Sequence, residues 1–147
     1  MIGGDDWSEV QHLQAQFGRA LDTGDFEALR EIFTADVEYT SGGSTKSGID
    51  ALVASFVGRA SAPRTTRHLP GPPVVVAHTG DAIDTVLTCV AWAAHSKPVA
   101  QTAEVYMVAD FHDTYRRTPK GWRISARRIV PVLRNAALAP RPVGAPA

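Results

Sequence analysis

The sequence predicts an α+β fold in which three N-terminal helices pack on the concave face of one strongly bent antiparallel sheet, forming a cone. Apolar residues recur at helical spacing through residues 10–57 and at a period of two, or in continuous runs, through residues 74–133. The connections in the second half are short turns, which join antiparallel neighbours because parallel strands need long crossovers. The open end of such a cone is a natural pocket.

The helical region divides into three segments. The first is amphipathic, with Leu13, Phe17 and Leu21 at a spacing of four, and Gly24 ends it. Asp25 is a suitable cap for a second, short helix. The apolar positions of the second and third helices are Phe26, Leu29, Ile32 and Phe33, and Ile49, Leu52, Val53, Phe56 and Val57.

The second half predicts a meander of four strands, preceded by a short strand or extended arm at residues 37–40. Within the last strand Trp122, Ile124 and Ala126 share one face, but the next apolar residue is Ile129, three positions further on. A β-bulge near Arg127 and the residue after it would restore the register and bend the sheet. The four predicted strands cover residues 74–78, 82–95, 99–117 and 122–133.

The length and composition fit one folded domain. A chain of 147 residues buries enough surface for a single core, and 44% hydrophobic with 20% charged residues is ordinary for a globular protein. No apolar run approaches the roughly 20 residues of a membrane span. We expect one domain over residues 1–133 and a proline-rich, mobile tail over residues 134–147.

The charges cancel overall but are segregated. Residues 1–60 hold ten acids and four bases, a balance of −6, and residues 61–147 hold five acids and eleven bases, a balance of +6. The basic cluster lacks interleaved aromatic residues, so solvated strand faces explain it better than nucleic-acid binding. Asp110 and His112 fit the same solvated face, whereas Asp113 falls on the apolar face and is expected to pair with an arginine of the neighbouring strand. The cluster comprises Arg116, Arg117, Lys120, Arg123, Arg127, Arg128 and Arg134.

Cofactor motifs are not visible. Cys89 is the single cysteine, which excludes an internal disulfide, and the five histidines lack the spacing of metal ligands. No glycine-rich nucleotide motif and no serine-hydrolase motif occurs. With no secretory signal at the N-terminus, we expect a cytoplasmic protein that uses neither a metal nor a cofactor.

Asp22 and His68 are the leading candidates for acid–base chemistry. Asp22 ends the first helix in line with Ala15 and Gly18, small residues that would leave a space beside it. The negative helix end and burial would raise the pKa of this carboxyl toward the range of a general base. The alternative is a solvent-facing aspartate in the helix-ending turn. His68 lies in a segment expected to cross the mouth of the cone as a loop, where a histidine is either a tunable acid–base group or simply exposed.

Other residues could complete a site. Tyr39 could donate a hydrogen bond to a carbonyl oxygen or could be a half-buried tyrosine of the rim. His95, at the end of a predicted strand, points either into the cavity or out at the turn. Candidate walls, each of which could instead belong to the core, are Phe33, Phe56, Trp92, Met107, Phe111 and Trp122.

Several sequence segments together resemble a SnoaL-like domain of the nuclear transport factor 2-like superfamily. They are the runs at residues 19–29 (RALDTGDFEAL), 33–37 (FTADV), 66–68 (TRH), 121–124 (GWRI) and 127–131 (RRIVP). The resemblance covers about residues 7–133. It implies a cone of one bent sheet and three helices, as the periodicity predicts.

The same resemblance implies a site. The superfamily includes polyketide cyclases, ketosteroid isomerases, dehydratases, dioxygenase small subunits and non-catalytic binding proteins, so the fold does not choose a function. In scytalone dehydratase-like members a helical aspartate and a histidine form an acid–base pair, and a tyrosine polarises the substrate carbonyl. These positions correspond to Asp22, His68 and Tyr39. Phe111 stands where that enzyme has an asparagine, which favours a different and more apolar substrate.

Two functions follow as hypotheses. The first is a cofactor-independent dehydratase, isomerase or cyclase acting on an apolar cyclic carbonyl compound of polyketide or steroid type. The second is a non-catalytic ligand-binding or accessory subunit of the same fold. We expect a homodimer through the exposed sheet face, where Tyr106 and Val108 are predicted to lie. A stable homodimer with an enclosed cavity would favour the enzyme, whereas a chain that is stable only with a different partner would favour the accessory subunit.

Overall fold

A computed structural model describes residues 2–59 and 63–141 and confirms the α+β fold. Two helices and a 3-10 helix lie in the N-terminal part, and a seven-stranded sheet forms the rest of the core. The elements are α1 (Gly4–Thr23), the 3-10 helix η1 (Phe26–Glu31), β1 (Phe33–Ser41), β2 (Ser44–Ser47), α2 (Ile49–Val57), β3 (Thr65–Pro70), β4 (Val74–His78), β5 (Ala82–Ala94), β6 (Val105–Thr118), β7 (Gly121–Arg134) and the 3-10 helix η2 (Ala136–Leu138).

Helix α1 follows the predicted pattern. Val10, Leu13 and Phe17 lie on its buried face, as their helical spacing requires. Gly24 ends the helix in the left-handed conformation, with φ at 73°, and its N–H donates to the Leu21 carbonyl. Helix α1 therefore ends at Thr23, and Asp22 lies in its last turn.

The second predicted helix is shorter than expected. It is a 3-10 helix that ends at Glu31, and Phe33 already begins β1. Alternation explains the difference: Val37 and Tyr39 are buried while Glu38 between them is exposed, so this segment satisfies the strand period. The short strand expected at residues 37–40 is the middle of this nine-residue strand.

The sheet is mixed rather than entirely antiparallel. Its strand order is β2-β1-β7-β6-β5-β3, with β4 also paired to β5. Strand β1 pairs in parallel with β7, which places Tyr39 opposite Arg127, whereas β5, β6 and β7 form the predicted antiparallel meander. Most of the chain separates β1 from β7, so a long crossover is available for the parallel pair.

The segment with His68 is a strand, not a loop across the mouth. Strand β3 pairs antiparallel with β5, and His68 lies opposite Ala91. Its polar sequence hides the strand period, because one face meets α1 and the other is open to solvent. The start of another strand was also predicted wrongly. The strand expected over residues 99–117 is β6, which begins at Val105.

Strand β7 has a bulge, as predicted, but it lies at Ser125, two residues before the predicted position. Thr114 pairs with Ala126 and Tyr115 with Ile124, which leaves Ser125 as the extra residue. The bulge turns Arg127 inward, where its exposure is 1%. The expectation that Arg127 belongs to a solvated face is therefore wrong.

The predicted tail, residues 134–147, lies partly outside the described residues, which end at 141. Its described part includes η2, whose Leu138 is buried and whose Ala137 carbonyl bonds the His95 ring.

Among the described residues no helix has both the length and the apolar character needed to cross a membrane.

Candidate active site

A cavity of about 350 Å³ opens between the end of α1, β1, α2 and the inner face of the sheet. Asp22 and His68 contribute polar groups to its wall, and Tyr39 contributes its phenol ring. Most of the remaining wall is apolar or aromatic, including Phe17 and Phe111. A volume of this size accommodates a small cyclic molecule.

Asp22 and His68 are hydrogen-bonded to each other. The His68 Nδ1 atom lies 2.7 Å from Asp22 Oδ1, and the two side chains are 16% and 9% exposed. The His68 backbone N–H donates to Asp22 Oδ2 at 2.9 Å, and the Thr66 hydroxyl donates to Oδ1 at 2.9 Å. Strand β3 thus supplies three hydrogen bonds to one carboxylate.

Gly18 brings α1 close enough to β3 for this contact. A Cβ atom at Gly18 would lie 3.3 Å from the His68 carbonyl oxygen and 3.5 Å from the His68 Cβ. The small-residue stripe was expected to border open space. Asp22 does border the cavity, but Gly18 contacts strand β3 and Ala15 is exposed. Gly18 therefore sets the helix–strand distance, and Asp22, one turn later, reaches His68.

The pKa of Asp22 is shifted in the direction opposite to the expectation. Burial acts to raise it, but the hydrogen bonds from the side chain and backbone of His68 and from Thr66 outweigh burial and bring the pKa below the ordinary 3.8. Asp22 is therefore a carboxylate at neutral pH, without a proton to donate. In the Asp22–His68 bond the Nδ1–H of a neutral imidazole must be the donor, so Nε2 is the basic nitrogen.

Tyr39 lines the cavity and is 5% exposed. Its ring packs edge-on against Phe33 at 5.8 Å and Phe56 at 6.1 Å. Burial raises the pKa of its phenol to about 12, so the hydroxyl keeps its proton at neutral pH. A protonated phenol can donate a hydrogen bond but cannot serve as a base.

The other predicted wall residues divide into two groups. Phe56, Met107 and Phe111 line the cavity. Phe33 and Trp122 lie in the core, Trp92 pairs with exposed Arg67 on the outer side of the sheet, and the Nε2 atom of His95 lies 3.0 Å from the Ala137 carbonyl oxygen. The wall assignments of Phe33, Trp92, Trp122 and His95 are therefore wrong. Alternation along β5 places Trp92 on the outer face, whereas Phe33 and Trp122 are buried in the core away from the cavity.

Two arginines of the cavity wall were not singled out from the sequence. Arg64 stacks over the Tyr106 ring at 5.1 Å, and Arg59 stacks over the Phe56 ring at 4.5 Å. Tyr106, expected on the outer face, lines the cavity with both arginines. In an extended chain residues 64, 66 and 68 lie on one face, and all three line the cavity. Because this segment was predicted to be a loop, Arg64 was not recognised as a neighbour of His68.

A buried polar network lies behind the cavity. Arg127 binds Asp113 through its Nε and Nη2 atoms at 2.7 and 2.8 Å, and neither side chain is exposed. This is the cross-strand pair that the position of Asp113 predicts. Gln14 bridges the pair by donating to Asp113 and accepting from Arg127, each at 2.7 Å. The arginine also stacks at 4.4 Å on Phe17 and Phe111, two rings of the cavity wall.

The remaining groups that could carry chemistry are the potential metal ligands and the thiol of Cys89. Within residues 2–59 and 63–141, no group of three or more potential ligand side chains is arranged to hold a metal ion. Cys89 lines the cavity, but burial raises the pKa of its thiol to about 11, which keeps it protonated at neutral pH.

A family profile described as a SnoaL-like domain matches residues 5–128. The chain belongs to the SnoaL-like domain family. No curated protein matches it. Among solved structures, an NTF2-like protein with a cystatin-like fold from Novosphingobium aromaticivorans is 29% identical, with a TM-score of 0.73 over 91% of this chain and 86% of that one.

Two further structures from the same bacterium share the fold with this SnoaL-like protein. One is provisionally named a scytalone dehydratase, with 16% identity and a TM-score of 0.73 over 94% of this chain and 93% of that one. The other is provisionally named the β subunit of an aromatic-ring-hydroxylating dioxygenase, with 20% identity and a TM-score of 0.70 over 92% and 95%. At these identities the likeness concerns the fold alone, and the chemistry must be argued from the site.

Proposed function

We propose that this SnoaL-like protein is a cofactor-independent acid–base enzyme that dehydrates, isomerises or cyclises an apolar cyclic carbonyl compound of polyketide or steroid type. The observation that carries the proposal is the 2.7 Å bond between His68 Nδ1 and the Asp22 carboxylate at the wall of an apolar cavity. A base that is oriented by a carboxylate and borders a substrate-sized space is the arrangement that general acid–base catalysis requires.

In the proposed reaction His68 Nε2 removes a proton from the carbon next to the substrate carbonyl. The C–H electron pair forms an enolate, and Tyr39 donates a hydrogen bond to the enolate oxygen. Asp22 holds the imidazole in one tautomer and stabilises the imidazolium that forms. His68 then returns its proton, either to a departing β-hydroxyl, which leaves as water, or to another carbon, which completes an isomerisation.

Deuterium exchange tests this step even without a known natural substrate. A panel of cyclic β-hydroxyketones and unsaturated ketones is incubated with the protein in D₂O, and α-proton exchange is followed by NMR. We expect Asp22→Asn to slow exchange at least about tenfold, because it removes the charge that stabilises the imidazolium. The matched control is Asp25→Asn, an exposed carboxylate three residues further on.

Full exchange activity in the Asp22→Asn protein would contradict the assignment of the Asp22–His68 pair. Rate loss of the same size in the Asp25→Asn protein would also count against it, since that change would then report a general effect of lost charge. Circular dichroism of both variants verifies that the fold is retained.

A non-catalytic binding protein or accessory subunit is the second candidate. The observation that favours it is that all three hydrogen bonds to Asp22 come from β3, so the carboxylate joins strand to helix whether or not chemistry occurs. Under this alternative the cavity binds ligands, no compound exchanges its α-protons, and Asp22→Asn affects only stability.

The proposal also includes a cytoplasmic location and a homodimer. Support for the dimer comes from large apolar side chains that the sheet leaves exposed, a class of surface that is frequently buried between subunits. These residues are Leu69, Val74, Val76, Val132 and Leu133, which are between 59% and 68% exposed.

A further inference from the structure

The cavity carries positive charge that its own wall does not balance. Asp22 is the acidic residue among the lining residues, and its carboxylate is already engaged by β3. Arg59 and Arg64 line the same cavity, and Arg64 is only partly exposed. Burial lowers the pKa of Arg64, and the nearby Arg59 cation lowers it further. Placing two cations together beside an apolar space costs free energy unless an anion joins them.

The partners of these two arginines do not supply that anion. Arg64 Nη1 donates to the Leu138 carbonyl and Arg59 Nε to the Ser55 carbonyl, and among the described carboxylates none forms an ion pair with either guanidinium. Of the other arginines, Arg30, Arg116, Arg117, Arg123 and Arg127 bind a carboxylate within 4 Å, whereas Arg19, Arg67, Arg128 and Arg134 form no ion pair among the described residues. Arg59 and Arg64 differ from this second group because they line the cavity.

Each of the two guanidinium groups makes a cation–π contact with an aromatic ring. Arg59 lies over Phe56 and Arg64 over Tyr106, and both rings belong to the cavity wall. A contact with a ring uses a face of the guanidinium and leaves its N–H donors free to bind a carboxylate, apart from Arg64 Nη1 and Arg59 Nε, which bond backbone carbonyls.

We propose that Arg59 and Arg64 bind a carboxylate group of the ligand, so that the cyclic carbonyl substrate also carries a carboxylic acid. The inference rests on the proposed function insofar as it takes this cavity as the substrate site. The carboxylate fixes one end of the molecule against the arginines, while the apolar ring system occupies the space between them and His68. An anchored acid presents its carbonyl-bearing ring to the base in one orientation.

A pair of probes that differ only in charge tests this directly. Binding of 2-naphthoate and of 2-naphthamide to the full chain is measured by isothermal titration calorimetry. We expect the acid to bind about tenfold more tightly than the amide, and its affinity to fall as salt rises from about 50 to about 300 mM, because exposed Arg59 is screened. Arg64→Gln should remove most of the tenfold preference while changing the affinity for the amide by less than about twofold.

Arg67→Gln is the matched control. Arg67 lies on the same strand but is exposed on the other face, opposite Trp92. We expect it to keep the full preference for the acid. Equal affinities for acid and amide, no binding of the acid at about 1 mM, or equal losses in the Arg64→Gln and Arg67→Gln proteins would overturn the proposal.

These outcomes are separate from the acid–base proposal. Binding requires no proton transfer, so the preference for naphthoate and the α-proton exchange are separate measurements. If the preference is absent but α-proton exchange depends on Asp22, the enzyme acts on a neutral ketone. If the preference is present but exchange is absent, the cavity binds acids without turning them over.

Discussion

Two carboxylates in this protein are each bonded to a basic side chain at 2.7 Å, yet the two pairs differ in burial and in surroundings. Asp113 and Arg127 are fully buried, and Gln14 satisfies further donors and acceptors of the pair. Asp22 and His68 keep 9% and 16% exposure and border the cavity. The first pair is enclosed by protein, and the second faces a space that another molecule can enter.

The chemistry of the partners matches this difference. An arginine does not give up its proton in a protein, so the Arg127 pair can fix geometry but cannot transfer a proton. A histidine can do so near neutral pH. Burial and partner together distinguish a structural ion pair from a candidate catalytic one, whereas a short distance alone does not.

Breaking the buried pair should have the largest effect. Arg127→Met leaves Asp113 charged and enclosed, which we expect to cost about 3–5 kcal/mol of unfolding free energy. Replacing both residues, as Arg127→Met with Asp113→Leu, should recover much of that loss, because an apolar pair needs no charge balance. Urea unfolding monitored by tryptophan fluorescence measures both variants.

The neighbouring Arg128 provides the control for this comparison. It is exposed on the same strand, and Arg128→Met should change stability by no more than about 0.5 kcal/mol. Similar losses at positions 127 and 128 would show that the buried pair is not the source of the stability.

The Asp22 pair should have a smaller effect with a defined pH dependence. Because the pKa of Asp22 is lowered in the folded protein, its ionised form stabilises the fold above the ordinary pKa of 3.8, and this contribution is lost as the pH falls through the lowered value. We expect Asp22→Asn to cost about 1–3 kcal/mol at neutral pH, as for hydrogen bonds to a charged group. The difference from the wild-type protein should shrink below about pH 4.

Urea unfolding of the wild-type and Asp22→Asn proteins between neutral and acidic pH checks this trend. A difference that stays constant into the acidic range, or that grows there, would rule out an ionised Asp22 as the source of the stabilisation.

Gly18→Ala should have the smallest effect on stability and a measurable effect on the pair. Alanine favours a helix by about 1 kcal/mol over glycine, but its Cβ would meet the His68 carbonyl oxygen at 3.3 Å. We expect these effects to offset each other to within about 1 kcal/mol, while β3 shifts and the His68 ring environment changes.

The imidazole resonances of His68 in ¹⁵N-labelled protein report that shift. The control is Gly4→Ala in the first turn of α1, where the added Cβ would meet no atom outside its own turn within 4 Å. This change should leave the His68 resonances unchanged. Unchanged His68 resonances in the Gly18→Ala protein would mean that Gly18 does not set the helix–strand distance.

The sequence predicted well those elements that have a regular apolar period. Helix α1, helix α2 and strand β5 were placed nearly to their ends, since each has a regular apolar period. The pairing of Asp113 with a neighbouring arginine also followed from that period. By contrast, β3 was taken for a loop, because its few residues are polar and its inward face meets a glycine rather than large apolar side chains.

The site was predicted in part, and the limits are physical. Asp22, His68 and Tyr39 were candidates from their places in the sequence, and the family resemblance implied a role for each. The structure brings all three to one cavity. The lowered pKa of Asp22 did not follow, since it depends on hydrogen bonds from a strand that was not recognised. Arg127 was assigned to solvent because the bulge, correctly expected, lies two residues earlier, and a bulge decides which face every later residue occupies.

The parallel pair of β1 and β7 has a consequence for how the chain acquires its structure. Tyr39 lies opposite Arg127, and the Trp122 indole donates to Asp6 across most of the chain length. Contacts between such distant positions slow folding, because a large loop must close before they form. On the ribosome, α1 and β1 emerge long before the strand that covers them. Their apolar faces are therefore covered only after β7 has been synthesised, and the cavity, which Ile129 of β7 helps to line, is completed only then.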